Sequence, residues 1–112
     1  MSNEQDIEQV ELSIEHAKLS VGNMKALNKL TRNKDFEKII LEGYFKEEAS
    51  RLVLLKGDPA MEQYLISIDK QINAIGQFRQ YLSTIMALGG QAERAIAEDE
   101  QTREELLSEG LQ

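Results

Sequence analysis

Along two long stretches of this chain, apolar residues recur at alternating intervals of three and four residues. This spacing restricts the possible folds more than any other feature of the sequence. The first set is Ile7, Val10, Ile14, Ala17, Val21 and Met24, and the second is Met61, Leu65, Ile68, Ile72, Ile75, Leu82 and Met86, interrupted by Arg79. Such steps place each set on one stripe of a helix. Because stripes this long must be buried against other helices, the sequence predicts an all-α protein.

Local signals divide the chain into three long predicted helices, at about 5–31, 34–56 and 59–88. Asn33 is suited to cap the second helix, because its side chain can accept hydrogen bonds from the free amides of the first turn. Gly57-Asp58-Pro59 combines a helix end, an N-cap and a proline at the first helical position. Gly89-Gly90 interrupts the apolar pattern and predicts a hinge.

The predicted fold is an elongated antiparallel bundle of the three long helices, with a fourth, weaker acidic helix at the carboxyl terminus. Residues 1–90 would form the bundle, and residues 91–112 would form an acidic, helix-prone tail after the hinge. The expected core consists of Phe36, Ile40, Tyr44, Phe45, Leu52, Leu65, Ile68, Ile72, Ile75, Phe78 and Leu82.

The charge of the chain is concentrated at its two ends. Residues 1–15 carry five acids and no base, residues 91–112 carry seven acids and two bases, and the formal net charge is −7. An acidic surface disfavours nonspecific binding to nucleic acid or anionic lipid. The acidic, polar start is the reverse of a signal peptide, and the apolar runs are too short to span a bilayer, so we expect a cytoplasmic protein without membrane contact.

No catalytic, metal-binding or cofactor-binding residues are predicted. The chain has no cysteine and only one histidine, His16, which excludes disulfides and thiolate metal sites. The acids cluster among other acids at the termini rather than in a cleft, and no phosphate loop or Ser/His/Asp set is present. The sequence therefore predicts a protein that is not an enzyme.

The first helix carries a basic edge made of Lys18, Lys25, Lys29 and Arg32. The favoured interpretation is that these bases flank a coiled-coil seam and pair with acids of a neighbouring helix. Alternatively, the bases could bind the phosphate backbone of a nucleic acid or an acidic protein partner. Binding to a single-stranded nucleic acid is disfavoured because no aromatic residues are interleaved with the bases.

The first helix also carries a candidate seam for a partner or a second copy, made of Ile7, Val10, Leu12, Ile14, Leu19, Val21 and Met24. In one interpretation this helix packs back onto the second and third helices of its own chain. In the other interpretation the helix self-associates. Leu12 and Leu19 favour this interpretation, because they lie opposite the main stripe, on a side where a helix buried on one face would not need leucine. The sequence leaves both open, so a homo-oligomer stays an alternative.

Residues 32–45 (RNKDFEKIILEGYF) and 47–52 (EEASRL) resemble part of a small helical protein of tailed bacteriophages. The resemblance implies an acidic helical virion or assembly component that binds other virion proteins, and it supplies no functional residues.

Three functional hypotheses follow from the sequence. The leading one is a structural or assembly protein that acts through helix-mediated contacts with proteins. The second is an acidic helical inhibitor or regulator of a host enzyme, and the third is a nucleic-acid accessory protein that uses the basic edge.

Overall fold

The computed structural model describes residues 3–110, and every regular element within that range is helical. Helix α1 is Asn3–Thr31 and α2 is Lys34–Phe36, which continues into a π-helix, Glu37–Glu48, and then into α3, Ala49–Lys56. A 3₁₀ segment, Pro59–Tyr64, leads into α4, Leu65–Gly110. The predicted all-α class is therefore confirmed for the described residues. Residues 111 and 112 of the predicted tail lie outside them.

Both helix starts predicted from capping residues are confirmed. The Asn33 side-chain oxygen accepts a hydrogen bond from the Phe36 amide at 3.0 Å. The Asp58 carboxylate accepts one from the Ala60 amide at 2.9 Å, with Pro59 at the start of the 3₁₀ segment. These caps satisfy amides that the first turn leaves without a backbone partner, so the chain turns at 31–34 and 56–59 for local reasons.

The chain folds into two compact units that differ from the predicted division at residue 90. Unit 1 combines Met1–Ala26 with Ile85–Gln112, and unit 2 is Leu27–Thr84. Residues 91–110 belong to α4 and pack with α1 in unit 1, so they do not form a separate fourth helix. The predicted bundle of three long helices with a fourth is therefore not confirmed.

Helix α4 passes through Gly89 and Gly90 without a break. A Cβ added at Gly89 would overlap the Met24 Cβ and would lie 2.7 Å from its Sδ, so α1 and α4 approach closely at this point. Glycine in a helix interior costs about 1 kcal/mol relative to alanine, and here the close approach of α1 offsets that cost. The glycine pair therefore marks a helix crossing rather than the predicted hinge.

The segment predicted as one α-helix at 34–56 contains the π-helix. In a π-helix each amide bonds to the carbonyl five residues earlier, so that about 4.4 residues make one turn. Apolar residues form two rows along residues 36–52, and at this period most of their members turn towards the same side. Phe36, Ile40, Leu41, Tyr44, Phe45 and Ala49 are half-buried and Leu52 is buried, whereas Ile39 is 62% exposed. The wider turn therefore lets one helix present a broad apolar face to its partner within unit 2.

The π-helix leaves little room for a side chain at Gly43. A Cβ added there would lie 3.0 Å from the Lys38 carbonyl oxygen, five residues earlier, whereas a Cβ at Gly22 in α1 would meet nothing within 4 Å. We therefore expect Gly22→Ala to raise the stability by about 0.4–1 kcal/mol and Gly43→Ala to give no such gain. Urea unfolding followed by circular dichroism measures both. An equal gain at the two positions would show that residues 37–48 adopt ordinary α-helical spacing.

The core of unit 2 lies between the helical run 34–56 and the first part of α4. Its buried members are Leu52, Ile68 and Ile75, with Tyr44, Phe45, Ala49, Leu55, Met61 and Ile72 packed around them. An ion pair of 2.8 Å joins the Lys56 Nζ to the Asp69 carboxylate near the connecting turn. Further from the turn, the Phe45 and Phe78 rings lie 5.5 Å apart. The two helices of unit 2 are therefore antiparallel.

Candidate functional site

The predicted seam of α1 divides into two opposite faces in unit 1. Ile14 and Met24 are buried, and Ile7, Val10 and Val21 are half-buried. Leu12 and Leu19 lie outside this stripe and are 59% and 69% exposed. The main stripe thus packs within the chain, but against the part of α4 in unit 1, which is mostly the predicted tail, and not against the second and third predicted helices. The two leucines stay uncovered.

Three contacts set the register of α1 against α4 in unit 1. The Asn3 side-chain amide donates a hydrogen bond to the Leu106 carbonyl at 2.6 Å, and the Ser13 hydroxyl donates one to the Asp99 carboxylate at 2.7 Å. Met24 meets α4 at Gly89. Residue numbers rise on α1 as they fall on α4, so the helices are antiparallel. The acidic start of α1 therefore lies against the acidic end of α4.

This pairing separates charge between the two units. Unit 1 holds twelve acids and four bases, a net charge of −8, whereas unit 2 holds eight acids and nine bases, a net charge of +1. Two copies that approach through unit 1 would repel each other, and two copies that approach through unit 2 would not. The two units therefore present surfaces of different net charge.

The residues of the predicted basic edge are all exposed. Lys18 forms an ion pair of 3.7 Å with Glu15. It also lines a shallow groove with Glu8, Glu11 and Arg103. Lys25, Lys29 and Arg32 follow along α1 and beyond its end. The first base of the edge is therefore already surrounded by acids of its own unit, which lowers its attraction for phosphate.

All eleven predicted core residues lie in unit 2, and they differ in how far they are buried. Leu52, Ile68 and Ile75 are buried, and the half-buried members are Phe36, Ile40, Tyr44, Phe45, Leu65, Ile72 and Leu82. Phe78 differs, because it is 38% exposed at the edge of the helix pair. Its ring meets Tyr44 edge-on at 6.1 Å, so one face of an aromatic cluster is open to solvent.

Sequence reasoning missed a surface of α4 that carries almost no charge. Between residues 71 and 84 the exposed positions are Gln71, Asn73, Ala74, Gly76, Gln77, Phe78, Arg79, Gln80, Tyr81, Ser83 and Thr84. Only Arg79 is charged, in a protein with 29% charged residues. We call these eleven residues the low-charge surface. The run of uncharged residues was visible in the sequence, but which of them are exposed was not.

Composition makes the low-charge surface unlike an ordinary solvated helix face. Interface cores are depleted in charged residues and enriched in aromatic side chains, methionine and arginine. Tyr81 is 63% exposed on this surface and lies one helical turn from Phe78. The low-charge surface therefore shares two features with protein contact surfaces, few charges and exposed aromatic rings, but its Ala74 and Ser83 are of residue types depleted there.

The pKa of the Glu48 carboxyl is lowered chiefly by its hydrogen bonds from Arg51, whose own pKa is raised by the same contact. The Arg51 Nε donates to the Glu48 carboxylate at 3.1 Å. A carboxyl whose pKa is lowered on folding stabilises the fold above its ordinary pKa, and this contribution is lost as the pH falls through the lowered value. Both groups are on the outside of the helix, so the pair acts locally.

Comparisons with known proteins do not assign the chain to a family. No protein-family model, curated protein or solved structure matches it. Among residues 3–110, no group of three or more His, Asp or Glu side chains could hold a metal ion. Within the same range, no helix combines the length and apolar character needed to cross a membrane.

Proposed function

We propose that this protein is a non-enzymatic assembly protein that acts through helix-mediated contacts with other proteins, as a virion or morphogenesis component of a tailed bacteriophage. One observation carries the proposal. Thirteen large apolar side chains are exposed among residues 3–110, and they occur in both units. Exposed apolar surface of this extent is typical of sites that contact another protein.

The two units supply a physical reason for this exposure. Each is built mainly on one antiparallel helix pair, and a pair buries only one stripe of each helix. In unit 1 the uncovered side chains include Leu12, Leu19, Leu88 and Leu107, and in unit 2 they include Ile39, Val53, Leu54, Tyr64, Ile66 and Tyr81. A helix from a partner protein would cover such residues and turn each helix pair into a bundle.

Sedimentation of the purified protein, alone and mixed with candidate virion proteins, tests the proposal. We expect a mass above that of one 12.7-kDa chain in at least one mixture. A monomer whose mass never changes would contradict it.

The charge of unit 1 favours a second candidate function, inhibition of a host enzyme with a basic groove. The antiparallel pairing brings the acids of both chain ends onto one helix pair with a net charge of −8. Replacing the exposed Glu100, Glu104 and Glu105 with glutamine removes three of these charges without truncating the helix. An inhibitor should lose its effect in this variant, whereas an assembly protein that uses apolar contacts should still assemble.

A further inference from the structure

We propose that the outer part of unit 1 is a conformational switch controlled by charge, which opens at low ionic strength and closes when cations neutralise its acids. The outer part consists of residues 3–16 of α1 and residues 98–110 of α4, which the antiparallel register places side by side. It holds eleven acids and one base, a net charge of −10. The switch is a property of the chain alone and requires no partner protein.

The remainder of unit 1 carries charge of the opposite sign. Residues 17–26 and 85–97 hold three bases and one acid, a net charge of +2. Met24 and Ala92 are buried there, and α1 meets α4 at Gly89. Within residues 3–16 and 98–110, by contrast, Ile14 is the one buried residue. The part of the helix pair with the strongest self-repulsion therefore has the smallest core to oppose it.

Acids lie along both sides of the outer part. On one side Asp6 and Asp99 line a shallow groove whose other lining residues are uncharged. On the other side two bases, Lys18 and Arg103, line a groove with three glutamates of α1, Glu8, Glu11 and Glu15. The bases can offset part of the repulsion on the second side, but the first groove offers no base to do so.

Ionic strength determines how many of these acids repel one another. The Debye length is about 30 Å at 0.01 M salt and about 10 Å at 0.1 M. Each helical segment of the outer part is about 20 Å long, so in dilute buffer nearly all of its acids interact, whereas at higher salt only close neighbours do. Helical segments of about 13 residues are marginal on their own in water, so separation of the two segments would also unfold them.

Hydrogen exchange of the full chain at two ionic strengths tests the switch. Between about 10 and 300 mM NaCl we expect amides in residues 8–16 and 98–106 to exchange at least tenfold more slowly at the higher salt, because screening favours the closed pair. Amides in residues 65–78 belong to unit 2, which has a net charge of +1, and should change less than about twofold.

A multivalent cation distinguishes charge from a general effect of salt on apolar contacts. Spermine carries four positive charges and collects at a strongly negative surface. At about 1 mM in 10 mM NaCl, it leaves the ionic strength low. We nevertheless expect it to slow exchange in residues 8–16 and 98–106 at least fivefold, because it places positive charge directly at the acids.

A matched pair of triple variants locates the charge that matters. The first removes three exposed acids from the outer part and lowers its net charge to −7: Glu100→Gln, Glu104→Gln and Glu105→Gln. The control removes three exposed acids from unit 2: Glu37→Gln, Glu47→Gln and Glu62→Gln. In 10 mM NaCl we expect the first to slow exchange in residues 8–16 about tenfold and the control to change it less than about twofold.

Several results would overturn the proposal. They are exchange in the outer part that does not depend on salt, equal slowing in both units, protection by NaCl without protection by spermine, or equal effects of the two triple variants. A protein that binds a virion component but shows no response to salt would overturn the switch and leave the proposed function standing. A salt-dependent protein that stays a monomer beside every virion component would do the reverse.

Discussion

Leu52→Ala is expected to lower the free energy of unfolding by about 2–5 kcal/mol, the largest effect we predict for a single substitution. Leu52 is 1% exposed and lies in the buried cluster with Ile68 and Ile75. Truncation removes contacts and leaves a cavity between two helices that are held in place by their other residues. A domain of this size is stable by only about 5–15 kcal/mol, so the loss would be a large fraction of the total.

Leu54→Ala is the matched control, because it makes the same chemical change two residues away in α3. Leu54 is 77% exposed, so we expect a change within about 0.5 kcal/mol. Urea unfolding monitored by circular dichroism measures both variants, and hydrogen exchange across residues 65–78 locates the effect in unit 2. Equal losses of stability in the two variants would show that the Leu52 side chain is not buried against α4.

Gly89→Ala is expected to destabilise unit 1 by about 1–3 kcal/mol, although alanine is the better helix former. The added methyl would overlap the Met24 Cβ, which is fixed to its backbone and cannot rotate away. The two helices would therefore have to move apart at this crossing, and neighbours such as Ala92, which is buried, would lose contacts. Thermal and urea unfolding both measure the change.

Gly22→Ala and Gly76→Ala are controls of the opposite sign. Each lies in a helix interior, and a Cβ added at either position would meet nothing within 4 Å. We expect each to raise stability by about 0.4–1 kcal/mol. If Gly89→Ala were to stabilise the protein as Gly22→Ala does, residues 89 and 90 would be free of α1, and the hinge predicted from the sequence would be correct.

The features of the fold that could be predicted depend on neighbours close in sequence. Asn33 and Asp58 cap helices through hydrogen bonds that span two or three residues, so their roles follow from local chemistry. The stripe of α1 follows from periodicity, and Ile14 and Met24 are buried as that periodicity requires. These signals establish the helical class and the two turns, but they do not identify the helix that each stripe contacts.

The features that could not be predicted depend on distant neighbours. A glycine pair breaks a helix in water but permits a close crossing when another helix lies against it, and nothing local to Gly89 reveals Met24. Two apolar rows in residues 36–52 suit either an α-helix between two neighbours or a π-helix against one. Likewise, the low-charge run at 71–84 became a candidate contact surface only when its exposure was known.

The antiparallel pairing in unit 1 also has a consequence for rearranging the order of the chain. Asn3 and Gly110 are neighbours, since a Cβ added to Gly110 would lie 3.3 Å from the Asn3 side-chain nitrogen. Segments whose ends lie close together can be joined by a short linker. In an engineered chain a linker could therefore connect residue 110 to residue 3, and the backbone could be opened in the turn at Gly57 and Asp58 while the helices keep their partners.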